Sequence, residues 1–509
     1  MLAIRPAARC PFTAGVGISG VYFSFDSGHT WNQPTYTGWS ARDCLGPAPC
    51  APHVGPIGTL PWYFEAGLAS DGDPSLAFGP RPGPRGFSWA NGSRLYYTNL
   101  TANFSSERSE AAIKGFEAIA ISRTDDVAAA AAGNKNAWMT PVIVSRQNSA
   151  LFSDHEQVWA DNAASSPFFG NVYVCFAAFR GQEKGNALPA PIKVARSTDG
   201  GDSWSEGQLS AATNNANVPL GRQDCGVRTY SRGTVYAFWQ GGDVVPGSVL
   251  NAIFVARSFD GGQTFEKARA VAHFDQCGLV DPVSGDVTFD GLAGARDGSF
   301  PSLDIANGAP TGARASDEVV VSWCDGPTSK PGSAVVNEQA LVLWSTNRGA
   351  TYSGPVVASP ATDRPDFPAI AIAPDASRVY LVYDNFLTPW QATTASARGL
   401  QGVVRSATPG AGGAPGAFSD LHRGAVGDAR GSSANSLAGE FLGDYNNAVA
   451  TTSFGVSVWN DVRNAAACPA VDAYRQSLST GTPIAKPAPN ADCPATFGNS
   501  DIRAFTTAP

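Results

Sequence analysis

Charge is scarce in this chain, so the places where it gathers carry information. Only 15% of the 509 residues are Asp, Glu, Lys or Arg, well under the usual quarter. Yet six stretches, each just ahead of or at the start of a strand-like run, hold Asp73; Asp154, His155 and Glu156; Arg222, Asp224 and Arg228; Asp304; Arg364 and Asp366; and Glu440, Asp444 and Tyr445. Carboxyl groups give and take protons. Guanidinium forks grip an anionic group with paired donors, and a phenol beside a carboxylate is a candidate nucleophile. Acidic residues, arginines and one tyrosine gathered at equivalent positions can make one site. It works only if the fold brings stretches from most of the chain to one place.

A repeated phrase shows how that is done. "SFDSGHTW" at Ser24–Trp31 returns as "STDGGDSW" at Ser197–Trp204, "SFDGGQTF" at Ser258–Phe265 and, worn, "STNRGATY" at Ser345–Tyr352, with weaker echoes at Ser122 and Ser406. Each copy lies between two strand-like runs, the signature of a β-hairpin. Asp26, Asp199 and Asp260, with Asn347 standing in once, are short acceptors suited to a tight turn. Gly28, Gly201, Gly262 and Gly349 come where positive φ costs a side-chain residue most. Every position of the phrase has a building role, so the phrase is scaffold. Copies recur at intervals of about 60 to 100 residues, which fits a four-stranded propeller blade plus loops.

The segments ahead of each phrase read strand, turn, strand. The last, "GDYNNAVATTSFGVSVWNDVR", has two strands but no phrase after it, and the first phrase has too little chain ahead of it for two strands. Joining the ends closes a ring and removes free sheet edges. The expected fold is therefore all-β, a six-bladed β-propeller of four-stranded antiparallel blades spanning 1–509 as a single domain. Seven blades is the alternative if the terminal pieces stand apart.

The phrase S-x-D-x-G-x-T-W resembles the Asp-box of the sialidase (neuraminidase) superfamily, whose members are six-bladed propellers, and the text around "SDHEQVWADNAASSPFFGNVYV" resembles bacterial secreted sialidase-like proteins. That resemblance implies an exo-α-sialidase-type glycosidase, cutting a terminal acidic sugar with retention. It implies Tyr445 as nucleophile, with Glu440, Asp444 or Glu156 beside it, Asp73 or Asp154 as the acid, and Arg222, Arg228 and Arg364 as a clamp on the sugar carboxylate. The family's arginine motif ahead of the first phrase survives here only as "AIRP", with Arg5. The alternatives are a non-catalytic glycan- or protein-binding propeller, and a lyase or hydrolase acting on neutral sugars through loop aromatics such as Trp62, Trp89 and Trp390. Plain structural roles are also open to these residues: a rim tyrosine for Tyr445, an inter-blade ion pair for Arg228, a polar network for "SDHEQ" and an ion pair for Asp461 with Arg463.

Composition narrows the partners. A net charge of -8 argues against nucleic acid, which needs clustered Lys and Arg. No stretch is long and apolar enough to span a membrane. Nine cysteines suggest Cys44–Cys50, Cys468–Cys493 and Cys225–Cys277 as pairs, hence an exported protein, although "MLAIRPAARC" lacks a signal-peptide core. The N-terminus is therefore read as truncated. No CxxC occurs, and oxygen-rich "SDGDPS" and "VDPVSGDVTFDG" do not match an EF-hand loop, so neither metal nor cofactor is expected. The partner is a glycan and the state a monomer.

Overall fold

The computed structural model describes residues 15–41, 51–105, 107–180, 190–211, 222–281, 287–291, 294–295, 298–326, 338–432, 437, 442–443 and 445–509. Glu440, Asp444, Arg5, Cys44 and Cys50 lie outside the described residues.

Six antiparallel sheets follow one another along the chain as a six-bladed β-propeller. In the first, Leu68–Ser70 and Ser75–Gly83 both pair with Gly86–Asn103, followed by Ala118–Thr124 and Val142–Ile143. The second runs Leu151–Ala160, Val172–Arg180, Ile192–Ser197, Ser205–Gln208, and the third Arg222–Thr229, Val235–Val245, Ser248–Ser258, Arg269–Phe274. The fourth and fifth begin at Ser302–Ile305 and Pro365–Ile372. The sixth has three strands among the described residues, Asn447–Ala450, Gly455–Asp461 and Asp501–Thr506. The first strands of successive sheets lie against one another around the centre. Helix is confined to short pieces, of which Pro469–Ser479 is the longest. Among the described residues no helix is long and apolar enough to cross a membrane.

Strands such as "VYVCFAAFR" and "VYLVYDNF" are apolar almost throughout because both of their faces are covered. Tyr96, Ile121, Val158 and Val174 fill the layer between the first two sheets. Val227 and Trp239 meet Tyr173 in the next, and Val382, Val404 and Trp459 join the fifth to the sixth. Each such side chain, fully buried, contributes about 1.5–3 kcal/mol. These layers hold the wedges together.

The repeated turns lie where the sequence reading expects scaffold. Ser197, which opens the second copy, pairs with Val172, and Val172 with Ala160. The turn is therefore at the far end of the sheet from Asp154. Its hydrogen bonds recur from copy to copy. In the third, the Ser258 hydroxyl donates to Asp260 (2.8 Å), and Asp260 also accepts from the backbone N–H (2.9 Å) and hydroxyl (2.6 Å) of Thr264. Asn347 keeps the pattern, accepting from Thr351 N–H (2.9 Å) while its amide donates to the Thr351 hydroxyl (2.7 Å). The turn glycine answers two demands at once. Gly262 has φ +84, and a Cβ there would come within 2.7 Å of the Tyr173 ring on the preceding sheet. Each turn is thus a buttress on its neighbour.

The first copy closes the circle. Val21 and Phe23 are buried with Leu95 and Tyr97 of the first sheet, while the Thr506 hydroxyl of the sixth donates to Ser27 O (2.7 Å). The ends meet as expected, though by a leaning turn rather than by a shared ladder among the described residues. Disulfides join Cys175 to Cys225 and Cys277 to Cys324, so the expected Cys225–Cys277 pair is corrected; Cys468–Cys493 forms as read. Cys225 lies midway along an innermost strand, Arg222–Thr229, and meets Cys175 on the sheet before it, a proximity that sequence spacing does not reveal.

The Asp260 carboxyl is held down to about 2, chiefly by the Thr264 hydroxyl and N–H. A depressed acid stabilises the fold above its ordinary value of 3.8 and loses that contribution as pH falls towards 2. Asp260→Ala is expected to cost about 1 kcal/mol at pH 7. The gap from wild type in chemical denaturation should close between pH 4 and 2.

Candidate active site

A strand that obeys its ladder sends alternate side chains to opposite faces and none into the channel for long. Here the innermost strands break their ladders near the hub. Between Asp154 and Gln157 the register with the neighbouring strand slips, and His155 adopts φ +53. The same slip falls between Gln223 and Gly226, with Asp224 at φ +59, and between Asp366 and Ala369, with Phe367 at φ +47. In the first sheet the break is complete: Asp73, at φ +46, stands between Leu68–Ser70 and Ser75–Gly83. Bulges of this kind re-aim side chains, and left-handed backbone at non-glycine residues is uncommon enough to mark a constrained site.

The re-aimed residues converge. The Tyr445 hydroxyl, from the sixth module, donates to Asp73 Oδ2 of the first at 3.1 Å. The His155 ring stands edge-on to Tyr445 and to Phe300, with centroids 5.4 Å away in each case, and Phe300 packs on Phe367 at 5.4 Å. Asp224 Oδ1 is 2.5 Å from His155 Nδ1, and Asp154 Oδ2 is 3.6 Å from Nε2. The Gln240 amide donates to the other Asp224 oxygen. All six modules contribute to this group.

Its electrostatics are acidic. Burial alone would pull the His155 imidazole down, but Asp154, Asp224 and Asp73 outweigh that and push it above its ordinary value. Burial pushes the Glu156 carboxyl far up, and Asp73 adds to the effect. Glu117, which enters beside Phe152 at the edge of the second sheet, is pushed up to about 10 by burial and by Asp71, to which it is hydrogen bonded. Glu117 therefore carries a proton at neutral pH beside carboxylates that pull in the same direction. Environments that drive neighbouring carboxyls apart are the usual basis for separate acid and base roles.

The expected residues divide. Tyr445, Asp73, Asp154 and Glu156 are brought together, with His155 and Asp224. The three arginines are not. Arg222 Nη1 donates to Ala211 O at 3.0 Å, and Arg228, six residues along the same strand, is about 20 Å away by strand rise. Arg228 lies 3.4 Å from Asp304 of the next sheet and stacks over Trp159 at 4.6 Å. Arg364 binds both oxygens of Glu338 (2.8 and 3.0 Å). Each guanidinium has a protein partner: Ala211 O for Arg222, Asp304 for Arg228 and Glu338 for Arg364. Asp304, besides Arg228, accepts from Ile372 N–H (2.9 Å), and Arg463 holds Asp461, as the ion-pair reading had it. Glu117 heads a third strand, Ala118–Thr124, so the repeat of acidic residues at the heads of first strands does not point to it.

No family model matches the sequence, and no curated protein matches it. Solved structures with a similar course of chain include an α-L-arabinofuranosidase from Fusarium graminearum (11% identity, TM-score 0.41, covering 76% of this chain and 88% of that one). A sialidase from Trypanosoma rangeli (12%, TM-score 0.37, 73% and 48%) and a Hadza microbial sialidase (16%, TM-score 0.31, 66% and 68%) are two more. At these values the reading of the site rests on its own geometry.

A carboxyl whose folded value is raised favours the fold fully below its ordinary 4.5, and that contribution drains away as pH climbs towards 10. Glu117→Gln, neutral at every pH, is expected to be more stable than wild type by on the order of 2–4 kcal/mol at pH 8. The two should be equal at pH 4. Thermal melts across that range make the check.

Proposed function

We propose that the hub hydrolyses a glycosidic bond, releasing a terminal acidic sugar from a glycan in the manner of an exo-α-sialidase. The observation that carries the reading is the Tyr445–Asp73 hydrogen bond, made between residues 372 positions apart. Tyr445 Oη attacks the anomeric carbon while its proton passes to Asp73. The bond to the leaving oxygen breaks, and Glu117 supplies the proton that oxygen takes. Water then attacks the glycosyl–tyrosine bond, giving its proton to Glu117, and Asp73 returns its proton to the phenolate. The products form with retention and every proton is restored. A phenol suits an anomeric centre that already bears a negative group. His155, clamped by Asp224, fixes the face against which Tyr445 packs.

A second reading has its own support. With Arg228 and Arg364 committed to Asp304 and Glu338, a neutral sugar attacked by a carboxylate needs no clamp. The disulfides favour an oxidising compartment, so we place the protein outside the cytoplasm, acting on extracellular glycans as one domain.

Turnover of 4-methylumbelliferyl sialoside and of neutral 4-methylumbelliferyl glycosides separates the readings. Sialoside hydrolysis should fall about 10³-fold or more in Tyr445→Phe and about 10²–10⁴-fold in Glu117→Gln. Hydrolysis of neutral glycosides that survives Tyr445→Phe would replace the first reading by the second. Glycan binding with no turnover of any substrate would leave a binding propeller.

A further inference from the structure

Asp73, Asp154 and His155 each present one ligand atom, two carboxylate oxygens and an imidazole nitrogen, and those atoms all lie within 4.8 Å of one another. We propose that these three residues bind a divalent cation of the Zn²⁺ or Mn²⁺ kind at the hub. No ligand motif in the sequence announces it, because the donors come from two sheets and meet only through the breaks in their innermost strands.

The donors are built for the task. A metal-binding histidine is normally oriented by a carboxylate on its other ring nitrogen. Here Asp224 Oδ1 lies 2.5 Å from Nδ1, which directs Nε2 towards Asp154. Asp224 is itself steadied by the Gln240 amide on its second oxygen. The His155 backbone N–H holds Asp154 Oδ1 at 3.0 Å, leaving Oδ2 on the side of the imidazole. Asp73 Oδ2 is placed by the Tyr445 hydroxyl.

A separate observation points to an occupant. Glu156, next on the strand, is 3% exposed, and neither of its oxygens has a hydrogen-bond partner. It follows Asp154 and His155 directly on the same strand. A buried, unpartnered carboxyl among other carboxylates is costly, and a divalent ion is the occupant that offsets such a gathering. Calcium prefers oxygen donors throughout, whereas a set that includes imidazole suits Zn²⁺ or Mn²⁺. The cation also brings positive charge to a hub whose expected arginines are held elsewhere. That it meets the carboxylate of an acidic sugar rests on the proposed function; that it binds does not.

The test is metal binding by the full chain, stripped with EDTA, dialysed against Zn²⁺ or Mn²⁺ alone, and measured by elemental mass spectrometry and by Mn²⁺ paramagnetic resonance. One equivalent should be retained, with a raised melting temperature. Asp154→Asn, at a partly exposed position, and Asp224→Asn, which loosens the imidazole, should each weaken binding by about 10–100-fold. Asp243→Asn, which removes an exposed carboxylate paired with His273 and outside the donor set, should leave it unchanged. No retained metal in wild type, equal retention in Asp154→Asn, or tighter binding of Ca²⁺ than of either probe would overturn the proposal. Metal bound without sialoside turnover sinks the glycosidase reading alone, and sialoside turnover by a chain that retains neither metal sinks this inference alone.

Discussion

Everything at the hub depends on the innermost strands abandoning their ladders. A regular strand alternates its side chains and cannot aim consecutive residues at a common axis. At Asp73, Asp154–Glu156, Asp224 and Phe367 the chain breaks that rule with a slipped register and left-handed backbone. Such conformations cost on the order of 1–3 kcal/mol each and persist only where the surroundings over-determine them. The surroundings are the apolar layers between sheets, which fix each strand on both faces and leave the break nowhere else to relax.

The buttressing turns serve the same end from the opposite face. Each rests on the preceding sheet, and in the second, third and fourth copies the glycine leaves no room for a side chain, as Gly262 does against Tyr173. Because every sheet leans on its neighbour, an error in one wedge angle would be carried around the ring to the hub. The turn that opens the chain braces the sixth sheet through Thr506 while Val21 and Phe23 pack on the first. Rigidity at the rim therefore becomes positional accuracy for Tyr445 and Asp73, which meet across that seam.

The hub concentrates like charge in a protein otherwise sparing of it. Burial and neighbouring carboxylates push the Glu117 and Glu156 carboxyls up, and the same neighbours push the His155 imidazole up against its burial. An apolar filling would be more stable. Retaining the acids makes physical sense if the site moves protons, holds a cation, or both. Arg228 and Arg364, by contrast, are tied to Asp304 and Glu338 and stack over Trp159 and Phe289, where a bidentate or stacked guanidinium is worth most to the fold.

Periodic features were legible in the sequence because they are local. The phrase with its serine, aspartate and glycine determines its own turn, since its hydrogen bonds run within a few residues, and its spacing determines a ring of small sheets. The acidic residues and Tyr445 at the heads of first strands were legible as a group for the same reason: equivalent positions in a repeat share one end of the fold. Pairings between blades were not legible. Whether Arg228 meets Asp304 or a substrate, whether Cys225 meets Cys175 or Cys277, and that Glu117 joins the hub from a third strand depend on strand register and on where each ladder slips. Those are settled by the packing of whole sheets against one another, a balance of many contacts that no short stretch encodes, and so the tertiary structure alone decided them.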